Sequence, residues 1–190
     1  MPSRLILASA SPRRLDLLAQ VGLTPDKIVA PNTNELALPR ESPRKLAARL
    51  AFVKSRLVAN EHPNDFVLAA DTVVACGQRI LDKAKTAAEA EAHLNLLSGR
   101  RHRVYSGVAL VPPSGSISAR LVVTQVTFKR LYKAEIDTYL KSGEWQGKAG
   151  AYAIQGLAGG FVKRINGSYS NVVGLPLCET LALLRGAGLR

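Results

Sequence analysis

The 190-residue chain has few cysteines, few aromatic residues and a shortage of acidic ones, and each scarcity narrows what it can be. Cys76 and Cys178 lie far apart, each within an apolar segment and outside any C-x-x-C pair. A disulfide framework or a zinc site therefore finds no support, and two reduced core thiols are expected. Aromatic residues make up 5% of the chain, which provides few stacking platforms for single-stranded nucleic acid. No apolar run approaches the ~20 residues needed to cross a bilayer. The amino terminus also lacks a charged segment followed by a long apolar stretch and a cleavage site. These absences predict a cytoplasmic protein without a membrane partner.

Acidic residues number 14 against 26 basic ones, giving a formal net charge of +12. That excess favours polyanionic partners, either nucleic acid or small phosphorylated substrates. The basic residues are not gathered in a low-complexity tail, and no repeat or linker interrupts the chain. A hydrophobic content of 47% suits one or at most two domains with a real core. His62, His93 and His102 show no metal-ligand spacing, and no G-x-S-x-G or Walker signature accompanies them. Nucleophilic hydrolase chemistry is therefore poorly supported.

The pattern of apolar residues predicts alternating strands and helices. Residues 4–8 read as a buried strand and 12–21 as a helix closed by Gly22, with Ser11 at the N-cap and Pro12 at the first helical position. A second Ser-Pro opens a helix that runs from Pro43 to about Ala59. "DFVLAADTVVACGQRIL" reads as a buried strand, a turn at 76–78 and a return. Thr86 and Glu89 have capping-box spacing at the start of a helix that Gly99 follows. Residues 102–111 and 117–129 predict two long strands, and "KAEIDTYLKSG" a short helix stopped by Gly143. Strands near 151–155 and 160–165, an Asn166-Gly167 turn and a helix around 176–186 complete the chain. Helices and hairpins together imply an α/β fold with a mixed sheet.

Several polar residues stand where this pattern does not want them. Arg13 and Arg14 occupy the first turn of a helix, where unpaired N–H groups and the macrodipole are already positive. Something negative should sit there. Asp71 interrupts the apolar run "FVLAADTVVAC", where an unpaired carboxylate would cost several kcal/mol. It is either paired with a lysine or placed to hold a cation or a water for phosphate chemistry. On the helix from Pro43, Leu46, Leu50, Val53 and Leu57 form a stripe widened by Ala47, Ala51 and Val58, and Lys54 falls in the middle of that arc. Lys54 either buries its stem and reaches water or holds an ammonium inward for a phosphate oxygen or a metal-bound carboxylate. A methionine there would suit the helix face.

Glu35, in "APNTNELALP", is a loop carboxylate of the kind usually left in water. Near the carboxyl end, glycines crowd "GKAGAYAIQGLAGGFVKRINGSYSNVVGLPL" and would serve tight turns or let backbone N–H groups approach a ligand. Lys148 before this stretch could bind phosphate, and the Gln155 amide could read the edge of a base.

These pieces together resemble the Maf family of nucleoside triphosphate pyrophosphatases over nearly the whole chain. The opening fits that family's Ser-x-Ser-x-Arg-Arg signature at Ser9, Ser11, Arg13 and Arg14, and "AADTVV", "ILDK", "LSGRRHRV", "SGE", "GKAGAYAIQG" and "GSYSNVVGLPL" follow in order. The "AYAIQG" block resembles the branch acting on dTTP and UTP rather than the branch acting on 7-methylated GTP. The resemblance implies a single domain over residues 1–190, with a two-lobed Maf/ITPase-like fold, a mixed, twisted β-sheet flanked by helices and a deep substrate cleft.

It also implies a divalent cation, Mg²⁺ or Mn²⁺, and hydrolysis between the α and β phosphates to a monophosphate and pyrophosphate. Asp71 becomes the proton acceptor or a metal-linked carboxylate, with Glu35 as a second metal ligand. Arg13, Thr72 and Gln155 become positions of substrate choice, and Ser9, Ser11, Arg14, Lys54, Lys83 and Lys148 further substrate contacts. A homodimer is in keeping with the resemblance, and nucleic acid is not required. Two departures stand out: Asn34-Glu35 where an Asp-Glu pair is expected, and Lys83-Ala84 in place of Lys-Pro. The alternatives are a 7-methyl-GTP pyrophosphatase and a non-catalytic, nucleic-acid-binding regulator of division.

Overall fold

The computed structural model describes residues 4–189. The chain runs β1 (Leu5–Ala8), α1 (Pro12–Gln20), β2 (Lys27–Ile28), α2 (Pro43–Glu61), β3 (Phe66–Cys76), β4 (Arg79–Leu81) and α3 (Ala87–Leu97). It continues through β5 (Arg101–Val111), β6 (Ser118–Phe128), α4 (Lys133–Ser142), β7 (Val162–Asn166), α5 (Tyr169–Val173) and α6 (Leu177–Gly186). The strands form one seven-stranded mixed sheet in the order β2-β1-β3-β5-β6-β7, with β4 also on β3. β1 is parallel to β2 and β3, and the remaining pairs are antiparallel. No helix among the described residues is long and apolar enough to cross a membrane.

The central strand β3 carries the feature that makes a site possible. On one edge it pairs with β5 from Val67 to Ala75. On its other edge β1 pairs only as far as Ala69, and β4 begins at Val74. Ala70 to Val73 thus face a notch in the sheet, beyond the carboxyl end of parallel β1, where open α/β sheets tend to leave a crevice. Because side chains alternate along a strand, Asp71 and Thr72 leave this notch on opposite faces.

Val67, Ala69 and Val73 share the Asp71 face with α2, whereas Leu68, Ala70 and Val74 join the larger core on the Thr72 face, together with α3, α4 and α6. Gly107 on β5 lies directly opposite Asp71. A Cβ at Gly107 would fall 2.3 Å from the Ala47 carbonyl oxygen, so only glycine lets α2 lie this close to the sheet. This contact rotates the small-residue side of α2 inward. Leu46, Ala47, Leu50, Ala51, Lys54, Ser55 and Val58 are buried, whereas Val53 is half-buried and Leu57, expected within the apolar stripe, is exposed.

Most expected elements are present, and the departures have local causes. Residues 151–155 form no strand. They are an irregular segment leading into a 3-10 turn at Leu157–Phe161, entered through Gly150 and Ala151 at positive φ, and the Ala153 N–H is taken by a side chain described below. The Asn166-Gly167 turn leads into the short helix α5, with Ser168 as its side-chain cap. The Thr86 hydroxyl caps α3 as its spacing predicts, but the Glu89 carboxylate reaches the Lys85 N–H instead of closing the box on Thr86. Cys76 is half-buried and Cys178 exposed, so the expectation of two core thiols fails for Cys178, which lies on the outward side of the first turn of α6.

Candidate active site

The notch in the sheet opens into a cavity of about 670 Å³, within the range of small-molecule sites. Every candidate site residue named from the sequence lines it, and its two walls differ in how their charges are compensated.

On the α2 face, Lys54 does not reach out to water. Its Nζ donates to Asp71 Oδ1 at 2.6 Å and to Glu35 Oε1 at 2.5 Å. Lys83 Nζ donates to the other Glu35 oxygen at 3.2 Å. The two anomalies of the apolar pattern, Lys54 and Asp71, are therefore partners. Burial raises the Asp71 pKa above the ordinary aspartate value of 3.8, against the pull of Lys54 and Arg14. Burial also pushes Glu35 upward, but Lys54 and Lys83 together hold its carboxyl below the usual range. The loop carboxylate is thus a fixed member of the site. Asn34, where an aspartate was expected, accepts the Leu36 N–H at 3.0 Å and shapes the loop instead. Ala84, in the place of an expected proline, packs into the core.

On the opposite face, the arginines have neutral partners. Arg14 donates to Ser9 Oγ at 2.9 Å, to the Gly174 carbonyl at 2.9 Å and to Thr72 Oγ1 at 3.4 Å. Arg13 Nε donates to the Val173 carbonyl at 3.4 Å. Neither forms a salt bridge among the described residues. Burial lowers the pKa of both guanidinium groups, which nevertheless remain cationic. Ser11 stands at the N-cap of α1, but its side chain caps nothing. The Ser9 hydroxyl accepts the Ser11 N–H at 3.1 Å. Lys148 Nζ donates to the Gln146 carbonyl, and burial together with Arg13 lowers its pKa. Gln155 is exposed on the irregular segment, and its side chain has no hydrogen-bond partner among the described residues.

The sequence reading missed the polar groups that hold this wall in place. Thr72 Oγ1 lies 3.0 Å from Ser106 Oγ, and Ser106 donates to the Asn171 carbonyl at 3.2 Å. The buried Asn171 amide donates to Thr124 Oγ1 at 2.9 Å and to the Val104 carbonyl at 3.2 Å. Serine in the strand pattern "VYSGVAL" and asparagine among the apolar residues of "SNVVGL" were the available signals.

The donor set also bears on a metal. Glu35 and Asp71 converge on one ammonium, and no group of three or more His, Cys, Asp or Glu side chains suited to a metal occurs among the described residues. Two carboxylates do not make an all-protein cage. They do fit the way Mg²⁺ is held, by one or two carboxylates together with substrate phosphates.

A relative from Caulobacter vibrioides named dTTP/UTP pyrophosphatase is 60% identical over 186 residues, covering 98% of this chain and 96% of that protein. A relative of the same name from Paramagnetospirillum magneticum is 58% identical over 184 residues, covering 97% of each. Among solved structures, the Ham1 protein of Staphylococcus aureus aligns with a TM-score of 0.45 and 16% identity, over 65% of this chain and 71% of that one. The family described as Maf-like protein matches residues 4–187. With that match spanning almost the entire sequence, the chain belongs to the Maf family.

Proposed function

We propose that the protein is a nucleoside triphosphate pyrophosphatase that hydrolyses dTTP and UTP to the monophosphate and pyrophosphate. The observation that carries this reading is the pairing of two unlike walls around one cavity. A buried carboxylate held by a lysine faces the notch from one side, and two arginines without a counter-ion face it from the other. The names of the relatives, at 60% and 58% identity over nearly the whole chain, support the substrate.

The triphosphate would lie against Arg13, Arg14 and Lys148, whose charges find their missing partner in its oxygens. The Ser11 hydroxyl and the N–H groups opening α1 supply neutral donors to the same anion. Asp71, made more basic than an exposed aspartate by burial, accepts the proton of the attacking water. Water adds at the α phosphorus and the bond to the bridging oxygen breaks. Pyrophosphate then leaves with its charge offset by lysine and arginine. Mg²⁺ or Mn²⁺ held by Glu35 and Asp71 would neutralise further phosphate charge when bound. The Gln155 amide presents a donor and an acceptor side by side to the adjacent carbonyl and N–H of a uracil or thymine edge.

The test is to incubate purified protein with Mg²⁺ and a nucleotide panel and to measure pyrophosphate against orthophosphate. Equimolar monophosphate and pyrophosphate from UTP and dTTP is the expected result, with isotope-labelled water placing its oxygen on the monophosphate. Release of orthophosphate alone would overturn the reading.

A further inference from the structure

Gln155 belongs to a segment, residues 151–156, that is neither helix nor strand. An irregular segment facing a cavity is ordinarily a mobile one. Here three bonds hold it from behind. The Tyr152 hydroxyl lies 2.9 Å from Nε2 of His102 on β5, with both side chains buried. The Ala153 N–H donates to the hydroxyl of Tyr139 on α4 at 3.0 Å. The Leu157 N–H donates to Glu144 Oε2 at 2.8 Å, and Gly156 packs so closely on that carboxylate that a Cβ would fall 2.1 Å from the same oxygen.

Two of the anchors, His102 and Tyr139, are themselves fixed by aromatic packing. Phe128 meets the His102 and Tyr152 rings edge-on, each at 4.9 Å between centroids, and Tyr139 packs edge-on against Phe161 at 5.3 Å. Burial pushes His102 down to about 4 and Tyr139 up to about 12, so both are neutral near pH 7 and their bonds do not change with pH in that range. Tyr152, Ala153, Ile154 and Gln155 line the cavity, whereas His102, Tyr139 and Glu144 do not. A ligand in the cavity touches the segment and not the anchors behind it.

We propose that His102, Tyr139 and Glu144 form a rigid frame that positions the Tyr152–Gln155 segment for discrimination between nucleotide bases. This rests on the reading of the cavity as a nucleoside triphosphate site. The proposed phosphate contacts come from the start of α1 and from Lys148, not from the anchors, so loosening the frame blurs base choice and leaves the reacting end in place. An amide that distinguishes a carbonyl–N–H edge from the different order on cytosine must be held to within ~0.5 Å, a tolerance an untethered segment does not meet. The three anchors are positioning residues.

Tyr139→Phe keeps the ring and deletes the bond to the Ala153 N–H. Expected is a loss of about tenfold in kcat/KM for UTP, carried by KM, with kcat and the CTP value within about twofold of the parent. Glu144→Ala should do the same, whereas Glu144→Gln retains an oxygen acceptor for the Leu157 N–H and should restore the UTP-to-CTP ratio. Hydrogen exchange of residues 151–157 gives a second readout independent of turnover, and it should be faster in Tyr139→Phe and Glu144→Ala. Parental ratios in both variants, while Gln155→Ala abolishes the preference, overturn the frame and leave the base-reading role of Gln155 standing. Unchanged exchange in both variants overturns the frame even where the parent hydrolyses no nucleotide, and that second result by itself refutes the enzymatic reading.

Discussion

Asp71 and Thr72 are adjacent in the chain and face opposite sides of the sheet, and the two surroundings differ in one respect above all. The Asp71 side is compensated: Asp71 and Glu35 share Lys54, and Lys83 adds to Glu35. The Thr72 side is uncompensated: Arg13 and Arg14 are held by carbonyl and hydroxyl oxygens, which fix their geometry without cancelling their charge. A compensated wall is complete without an anion, so its value lies in the basicity it keeps in a fixed place. An uncompensated wall is incomplete until an anion arrives. On the proposed reading, chemistry and binding are divided between the two faces of one strand.

Asp71→Asn tests the chemical wall and should have the largest effect. The change preserves shape and removes basicity, so kcat for UTP should fall about 10³-fold while KM changes little. The parent should also lose kcat/KM in acid with a midpoint above the ordinary aspartate value of 3.8, because burial raises Asp71. Rates followed by pyrophosphate release between pH 4 and 8, alongside a melting curve, check both. Near-normal turnover in the folded variant would remove Asp71 from the reaction.

Lys54→Met strikes the compensation itself, and here the structure reverses the expectation drawn from the helix pattern. Methionine suits the face of α2, but it leaves the 7% exposed Asp71 carboxylate without its ammonium. Breaking one side of a buried pair costs about 3–5 kcal/mol. The melting temperature should drop, and adding Asp71→Asn should recover most of the loss, since the double variant has no buried carboxylate at position 71. A single variant as stable as the parent would mean that Asp71 accepts protonation at little cost.

Arg14→Lys sharpens the contrast from the other wall. The charge remains but the fork that reaches Ser9, Gly174 and Thr72 is lost, so KM for UTP should rise about 30-fold with kcat affected far less. The two walls would then separate as kcat and KM effects. A fall in kcat comparable to that of Asp71→Asn would show that Arg14 acts chiefly in the transition state.

The sequence made this division half legible. Asp71 inside an apolar strand and Lys54 inside an apolar arc each broke a period, and the two arginines at a helix start defied local electrostatics. Those violations are detectable in one dimension. That Asp71 and Lys54 satisfy each other was not detectable, because their meeting depends on Gly107, 36 positions from Asp71, which lets α2 close on the sheet. The same limit explains the segment at 151–155. Its apolar residues suited a strand, but its Ala153 N–H is met by Tyr139 and the Leu157 N–H just beyond it by Glu144, side chains whose reach no periodicity encodes. Leu57 was misplaced for a related reason: helix rotation is set by the closest contact, at Ala47, and not by the largest side chains.

The smallest predicted effect concerns neither wall but the base between them. Gln155 is exposed to the cavity on a segment whose backbone is anchored elsewhere, so replacing its side chain should leave the fold and the phosphate contacts unchanged. Glutamate at this position keeps size and reach but exchanges the amide donor for a second acceptor. Against a uracil edge, the carbonyl that had met the N–H would then face an anion, whereas cytosine offers an amino donor to the same oxygen. Gln155→Glu should therefore lower kcat/KM for UTP by about tenfold and lower it less, or not at all, for CTP. Thymidine and uridine triphosphates should fall together, because the ring edges that meet the amide are alike and nothing named in the site reads the 2′ position. Parallel losses for UTP and CTP, measured at matched Mg²⁺, would show that Gln155 supports its segment and does not read the base.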